Sequence, residues 1–149
     1  MREIKFRAWD SERKEMAGVA SIYFNPKTCL PMEVECVYQL YEYQVYGSMS
    51  DAPLKPCDVE CIDRPIEKLI LMQFTGIYDK NGVEIYEWDV LEYQYPEAEA
   101  EGLESEKHVV IFDEGSFMAT GESFQPEPLC EGDTDGFEVI GTIHDKEGE

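Results

Sequence analysis

The sequence has 149 residues, 43% of them hydrophobic and 12% aromatic, enough for about one domain with a real core and too apolar for disorder throughout. The formal charge is −21, from 12 basic and 33 acidic residues, a field that repels nucleic acid and anionic lipid and suits solubility or a basic partner. Five cysteines in no regular framework, no apolar leader after the first charges and no run long enough to span a bilayer give the expectation of a soluble protein with reduced thiols in a bacterial-type cytoplasm.

The charge is unevenly placed. Residues 1–30 hold six basic residues against four acidic ones, so the remaining chain carries −23. In chain order, Ile4 to Trp9 alternates apolar and basic residues as a half-exposed strand does. Asp10 to Lys14 reads as a polar turn, Met16 to Phe24 as a second strand, and Asn25-Pro26 breaks it. Met32 to Tyr46 holds no Gly or Pro and fits two successive strands, with a parity shift near Val37-Tyr38. Residues 47–65, with three prolines and small polar residues, read as a loop between an N-terminal part (1–46) and a C-terminal part (66–145).

In that second part, Leu69 to Phe74 is a short apolar run expected to be a buried strand, and Asp79-Lys80-Asn81-Gly82 supplies a tight turn. Val83, Ile85, Val90, Leu91 and Tyr93 continue as strand, and 96–106 is an acidic loop. His108 to Phe112, a turn at Asp113-Glu114-Gly115, the return at Phe117, a long loop over 121–136 and a strand from Phe137 to Ile143 complete the pattern. Short strands at close spacing predict a mainly β fold, a small SH3-like barrel or roll in the C-terminal half with a β-rich N-terminal extension.

Motifs for chemistry are sparse. Cys57-x3-Cys61 lacks the second pair, or the two histidines, that a structural zinc site uses, and His108 and His144 stand singly. Asp133-Thr134-Asp135-Gly136 supplies too few ligands for a calcium loop and reads as an acidic turn. The signatures G-x-S-x-G, P-loop and G-x-G-x-x-G are absent, so no catalytic residue, metal or cofactor is expected. The candidate partner surface is Glu97, Glu99, Glu101, Glu104 and Glu106, whose carboxylates would imitate phosphates, with Trp88 as an aromatic anchor.

Three stretches together resemble the YopX family of bacteriophages and prophages: Met1-Arg2-Glu3-Ile4-Lys5-Phe6-Arg7-Ala8-Trp9-Asp10; Leu71-Met72-Gln73-Phe74-Thr75-Gly76 with Asp79-Lys80-Asn81-Gly82 and Glu84-Ile85-Tyr86-Glu87; and Glu138-Val139-Ile140-Gly141 with Ile143. The resemblance implies a β-rich fold whose C-terminal half is like an SH3-type barrel, homo-oligomers and a phage origin, and it carries over no catalytic set. In the central block Asn81-Gly82 is expected to make a turn, and Gly76 to end a strand where a side chain would clash. Trp88 departs from the family's usual Gly before Asp89 and is expected to require a shifted turn.

The favoured expectation is a non-enzymatic accessory protein of a bacterial host cell that binds a protein, in particular a basic nucleic-acid-binding one, as an acidic inhibitor of host defence. Direct binding to nucleic acid or membrane is not expected. The alternative is an oligomeric binder that sequesters a signalling nucleotide through Arg2, Arg7, Arg13 and Lys14.

Overall fold

The computed structural model describes residues 3–39, 59–93, 105–122, 125–130 and 136–145. They form eleven strands: β1 (Phe6–Asp10), β2 (Glu15–Phe24), β3 (Pro31–Gln39), β4 (Val59–Pro65), β5 (Leu69–Tyr78), β6 (Glu84–Tyr86), β7 (Asp89–Tyr93), β8 (Glu106–Asp113), β9 (Ser116–Thr120), β10 (Glu127–Pro128) and β11 (Phe137–Thr142). A 3₁₀ turn, Ile66–Lys68, precedes β5, and the described residues include no α-helix. The mainly β expectation holds. The strands lie in two antiparallel sheets, ordered β4-β3-β2-β1-β5-β6 and β10-β9-β8-β7-β11. The second order is open, so the C-terminal half is a roll and not a closed barrel.

The chain divides into two compact units, Phe6–Leu71 and Met1–Lys5 with Met72–Glu149. In the first, β1 and β2 form a hairpin in register from Arg7↔Gly18 to Asp10↔Glu15, because Asp10 to Lys14 supplies the turn. Lys14 takes the left-handed conformation there (φ 56°) and its N–H bonds the Asp10 carbonyl at 2.8 Å. On β3 the inward positions are Val34, Cys36 and Tyr38, all buried, while Glu33, Glu35 and Val37 take the other parity. No parity shift occurs at Val37-Tyr38. Val37 suggested one because it is apolar on the outer face, and an isolated outward Val is ordinary. Residues 40–46, expected to continue as strand, lie outside the described residues.

The reading of 47–65 as loop fails for its last seven residues, which form β4 in unbroken register with β3, from Glu33↔Pro65 to Gln39↔Val59. The core of this unit is Ala8, Ala17, Val34, Cys36, Tyr38 and Leu69, with Ile22, Ile62 and Ile66 packed against it.

In the second unit, Ile85, Leu91 and Val110 form the core, with Ile77, Leu129, Phe137 and Val139 around them. Gly76 does not end β5. It sits inside the strand at φ 87°, where the β5–β6 register shifts between Phe74 and Tyr78, so its role is the positive φ of a bulge. Gly82 (φ 79°) completes the Asp79 turn as expected. Trp88 occupies the left-handed region itself, at φ 65°, with its N–H on the Val110 carbonyl (2.8 Å) and its carbonyl accepting from Ile143 (3.1 Å). These bonds hold a bulky residue in a conformation where glycine would sit freely. Within the expected loop 121–136, Glu127 and Pro128 pair with Ala119 and Met118 of β9.

Candidate functional site

The densest polar constellation of the first unit is centred on Asp10, which is fully buried at the end of β1. The hairpin turn brings the backbone N–H groups of Glu12 and Arg13 onto Oδ1, each at 2.9 Å. From β3 the Tyr38 hydroxyl donates to Oδ2 at 2.6 Å, and from β4 the Arg64 guanidinium donates through Nε to Oδ2 (2.8 Å) and Nη2 to Oδ1 (3.1 Å). One carboxylate thus ties together β1, its turn, β3 and β4.

The electrostatics follow from that geometry. Burial alone would raise the carboxyl pKa; the Tyr38 hydroxyl, Arg64 and the two turn amides outweigh it and hold Asp10 down at about 2. Burial, reinforced by the neighbouring carboxylate, pushes the Tyr38 hydroxyl well above its ordinary value. The Asp10 bond does the same for Arg64. Burial raises the pKa of the Cys36 thiol as well, which disfavours the thiolate. Every donor in the cluster points at a carboxylate that is already saturated, so the constellation is suited to clamping strands rather than to proton transfer.

The clamp extends outward as a chain of ion pairs. Arg64 also reaches Glu12 (2.7 Å), which accepts Lys68 (2.8 Å). Arg13 pairs with Glu15 (2.6 Å) and Glu60 (2.9 Å) and lies 4.0 Å over the Tyr38 ring. The opposite parity of β2, β3 and β4 is different. There Glu35 stands directly across from Asp63, and Glu33 across from Tyr23. The Ser21 hydroxyl donates to Glu35 at 2.7 Å, and no cation among the described residues pairs with Glu33, Glu35 or Asp63.

The second unit is fastened at Asp79, a buried carboxylate that accepts the amides of Asn81 (2.8 Å), Val83 (2.9 Å) and, from β11, Val139 (3.0 Å). Burial opposes ionisation, and the three amides prevail and lower its pKa. Asp89, also buried, accepts the Tyr86 amide at 2.8 Å and closes the β6–β7 turn.

Of the residues singled out from sequence, Glu97, Glu99, Glu101, Glu104 and Arg2 lie outside the described residues, as do Cys57 and residues 131–135. Glu106 is half-buried at the start of β8, opposite Tyr93, whereas Trp88 precedes Asp89 at the other end of β7. The two do not share one patch. Arg13 and Lys14 sit together in the β1–β2 turn and Arg7 is mid-strand on β1. Arg13 is already engaged by two carboxylates, so it is poorly placed to serve a phosphate. Sequence reasoning did not bring Asp10, Tyr38 and Arg64 together; it read Asp10 as a turn residue and Tyr38 as one of a cluster of candidate interface aromatics. A turn aspartate, a strand tyrosine and an arginine in a proline-flanked stretch carry no shared signal. No helix of the described residues is long and apolar enough to cross a membrane, and no three His, Cys, Asp or Glu residues among them gather as metal ligands.

The YopX protein family model matches residues 5–147, and the chain belongs to the YopX family. Among solved structures it is similar to protein EF1440 from Enterococcus faecalis, with a TM-score of 0.66 and 27% identity over 99% of this chain and 97% of that one. It is also similar in fold to protein yopX from Bacillus subtilis, with a TM-score of 0.55 and 17% identity over 99% of this chain and 95% of that one. No curated protein matches its sequence.

Proposed function

We propose that this YopX-family member is a non-catalytic binding protein whose carboxylates engage a basic protein partner, with inhibition of a nucleic-acid-handling defence protein as the specific role. The observation that carries the reading is how the chain deploys its charge. It has 33 acidic residues against 12 basic ones, and Lys5, Arg13, Arg64, Lys68 and Lys80 are each committed to a carboxylate. Cations spent on internal pairs offset less of the acidic surplus elsewhere, and on the described sheet Glu33 and Asp63 are exposed without a described cation beside them. Such a field steers a basic partner into encounter and repels nucleic acid. Five-fold saturation of Asp10 supports the non-catalytic part of the proposal, since it leaves no lone pair directed at a substrate.

The test is capture from bacterial lysate on the immobilised protein, washed with rising salt and then with duplex DNA. The expected result is a basic protein released progressively by salt and displaced by DNA. An empty capture, or one indifferent to both salt and DNA, overturns the reading.

A further inference from the structure

The strand β4 ends its sheet order, and among the described residues no strand pairs with its outer edge. Natural edge strands are blunted by lysine, by proline in the interior, by bulges or by extreme shortness. β4 has none of these: it is seven residues long, its register with β3 is continuous, it holds no lysine, and its proline is the last residue. It does point two charges inward, a further protective device, but Glu60 and Arg64 are already neutralised by Arg13 and Asp10. Alternate N–H and C=O groups along it therefore point away from β3.

The two faces beside that edge differ in what they would accept. On the outer face, Asp63 is exposed and lies directly opposite Glu35, with Glu33 two residues along β3. Like charges facing each other across an antiparallel pair destabilise it, and no described cation relieves these. On the inner face, Glu60 and Arg64 already have partners, and half-buried Ile62 lies between them. An incoming strand alternates its side chains in the same way. Its best match has cations on one face, beside Asp63, and an apolar residue on the other, beside Ile62.

We infer that the edge of β4 that no described strand pairs accepts an extended segment of a basic protein partner as an added strand, with a lysine or arginine side chain beside Asp63, whose carboxylate lies opposite Glu35 of β3. This rests on the proposed binding function and names its surface. That edge supplies the main-chain hydrogen bonds and the opposed carboxylates select the occupant by charge, as in other strand-addition complexes.

The test uses the full chain and a labelled peptide of alternating lysine and valine. Anisotropy should show binding, and hydrogen exchange should slow at the amides of residues 59–65. The double variant Glu35→Lys with Asp63→Lys should bind about tenfold or more weakly with its circular dichroism unchanged. Two peptides N-methylated on alternate residues give a check that needs no variant: one should lose binding and the other keep it. Equal binding by both, or no binding of the parent peptide, overturns the inference. So does concentration-dependent protection of β4 in the protein alone, which would place a second copy on the edge. Salt-sensitive lysate capture that survives the double variant sinks this inference and leaves the proposed function standing; loss of wild-type capture sinks the function itself.

Discussion

Replacing Asp10 with asparagine keeps the shape of the side chain and exchanges one acceptor oxygen for an NH₂ donor. Neither orientation of the amide is satisfactory. Turned one way, the NH₂ faces the Glu12 and Arg13 amides and Arg64 Nη2; turned the other, it faces the Tyr38 hydroxyl and Arg64 Nε. Breaking a buried ion pair from one side typically costs 3–5 kcal/mol, about 3 here because Arg64 keeps Glu12 as a partner. The carboxyl pKa gives a second route to the magnitude: the difference between 3.8 unfolded and about 2 folded corresponds to about 2.5 kcal/mol. The folded value is the depressed one, so this stability is fully present above the unfolded pKa and is lost as pH falls through the folded one. Urea unfolding of wild type and Asp10→Asn, followed by hydrogen exchange in β1–β4, should show the full gap at pH 7. The gap should close between about pH 4 and pH 2. A gap below about 0.5 kcal/mol at neutral pH, the size of an ordinary surface change, or a gap independent of pH in that range, would refute the clamp.

Tyr38→Phe removes one donor from the same carboxylate and should cost about 1–2 kcal/mol, with the acid limb of the stability curve moving to higher pH. Asp79→Ala leaves three amides without their acceptor and should cost about 2–3 kcal/mol; faster hydrogen exchange at Val139 than at Leu91 would report it, and equal exchange would count against the anchoring role. At Trp88, glycine should relieve about 1 kcal/mol of left-handed strain while giving up a half-buried indole, for a net change near zero. Trp88→Val should be the damaging substitution, by about 2 kcal/mol or more, because a β-branched side chain fits φ 65° worst; equal melting of the two variants would show that φ is not what constrains the position.

Much of the strand pattern was legible because several strands carry either an alternation or a short apolar run bounded by turn residues. β1 could be read from its alternation, β8 from its apolar run, and the turns at Asp79-Gly82 and Asp113-Gly115 from their residues, since Gly82 (φ 79°) and Gly115 (φ 83°) adopt the conformations that glycine permits. β4 was hidden for a physical reason. Its inward positions are Glu60, Ile62 and Arg64, two of them charged, so apolar periodicity is absent where the strand packs. What stabilises those positions is the carboxylate of Asp10 and the guanidinium of Arg13, both more than 40 residues away. A pattern scored on hydrophobicity cannot register a strand whose inward charges are neutralised by a distant turn.

The same fact bears on how the chain's acidity should be read. A net charge summed over a sequence treats every carboxylate alike, yet in the sheet β1–β4 they fall into two populations. Those on the inner side (Asp10, Glu12, Glu15 and Glu60) have been given the cations. Outer-side Glu33, Glu35 and Asp63 have received none among the described residues, although placing Glu35 opposite Asp63 costs stability. Had solubility been the sole demand on these residues, a lysine at either position would have met it and removed the repulsion. An unfavourable pair beside an edge that no described strand covers is what the proposed strand addition would account for, since an incoming cation would relieve the repulsion.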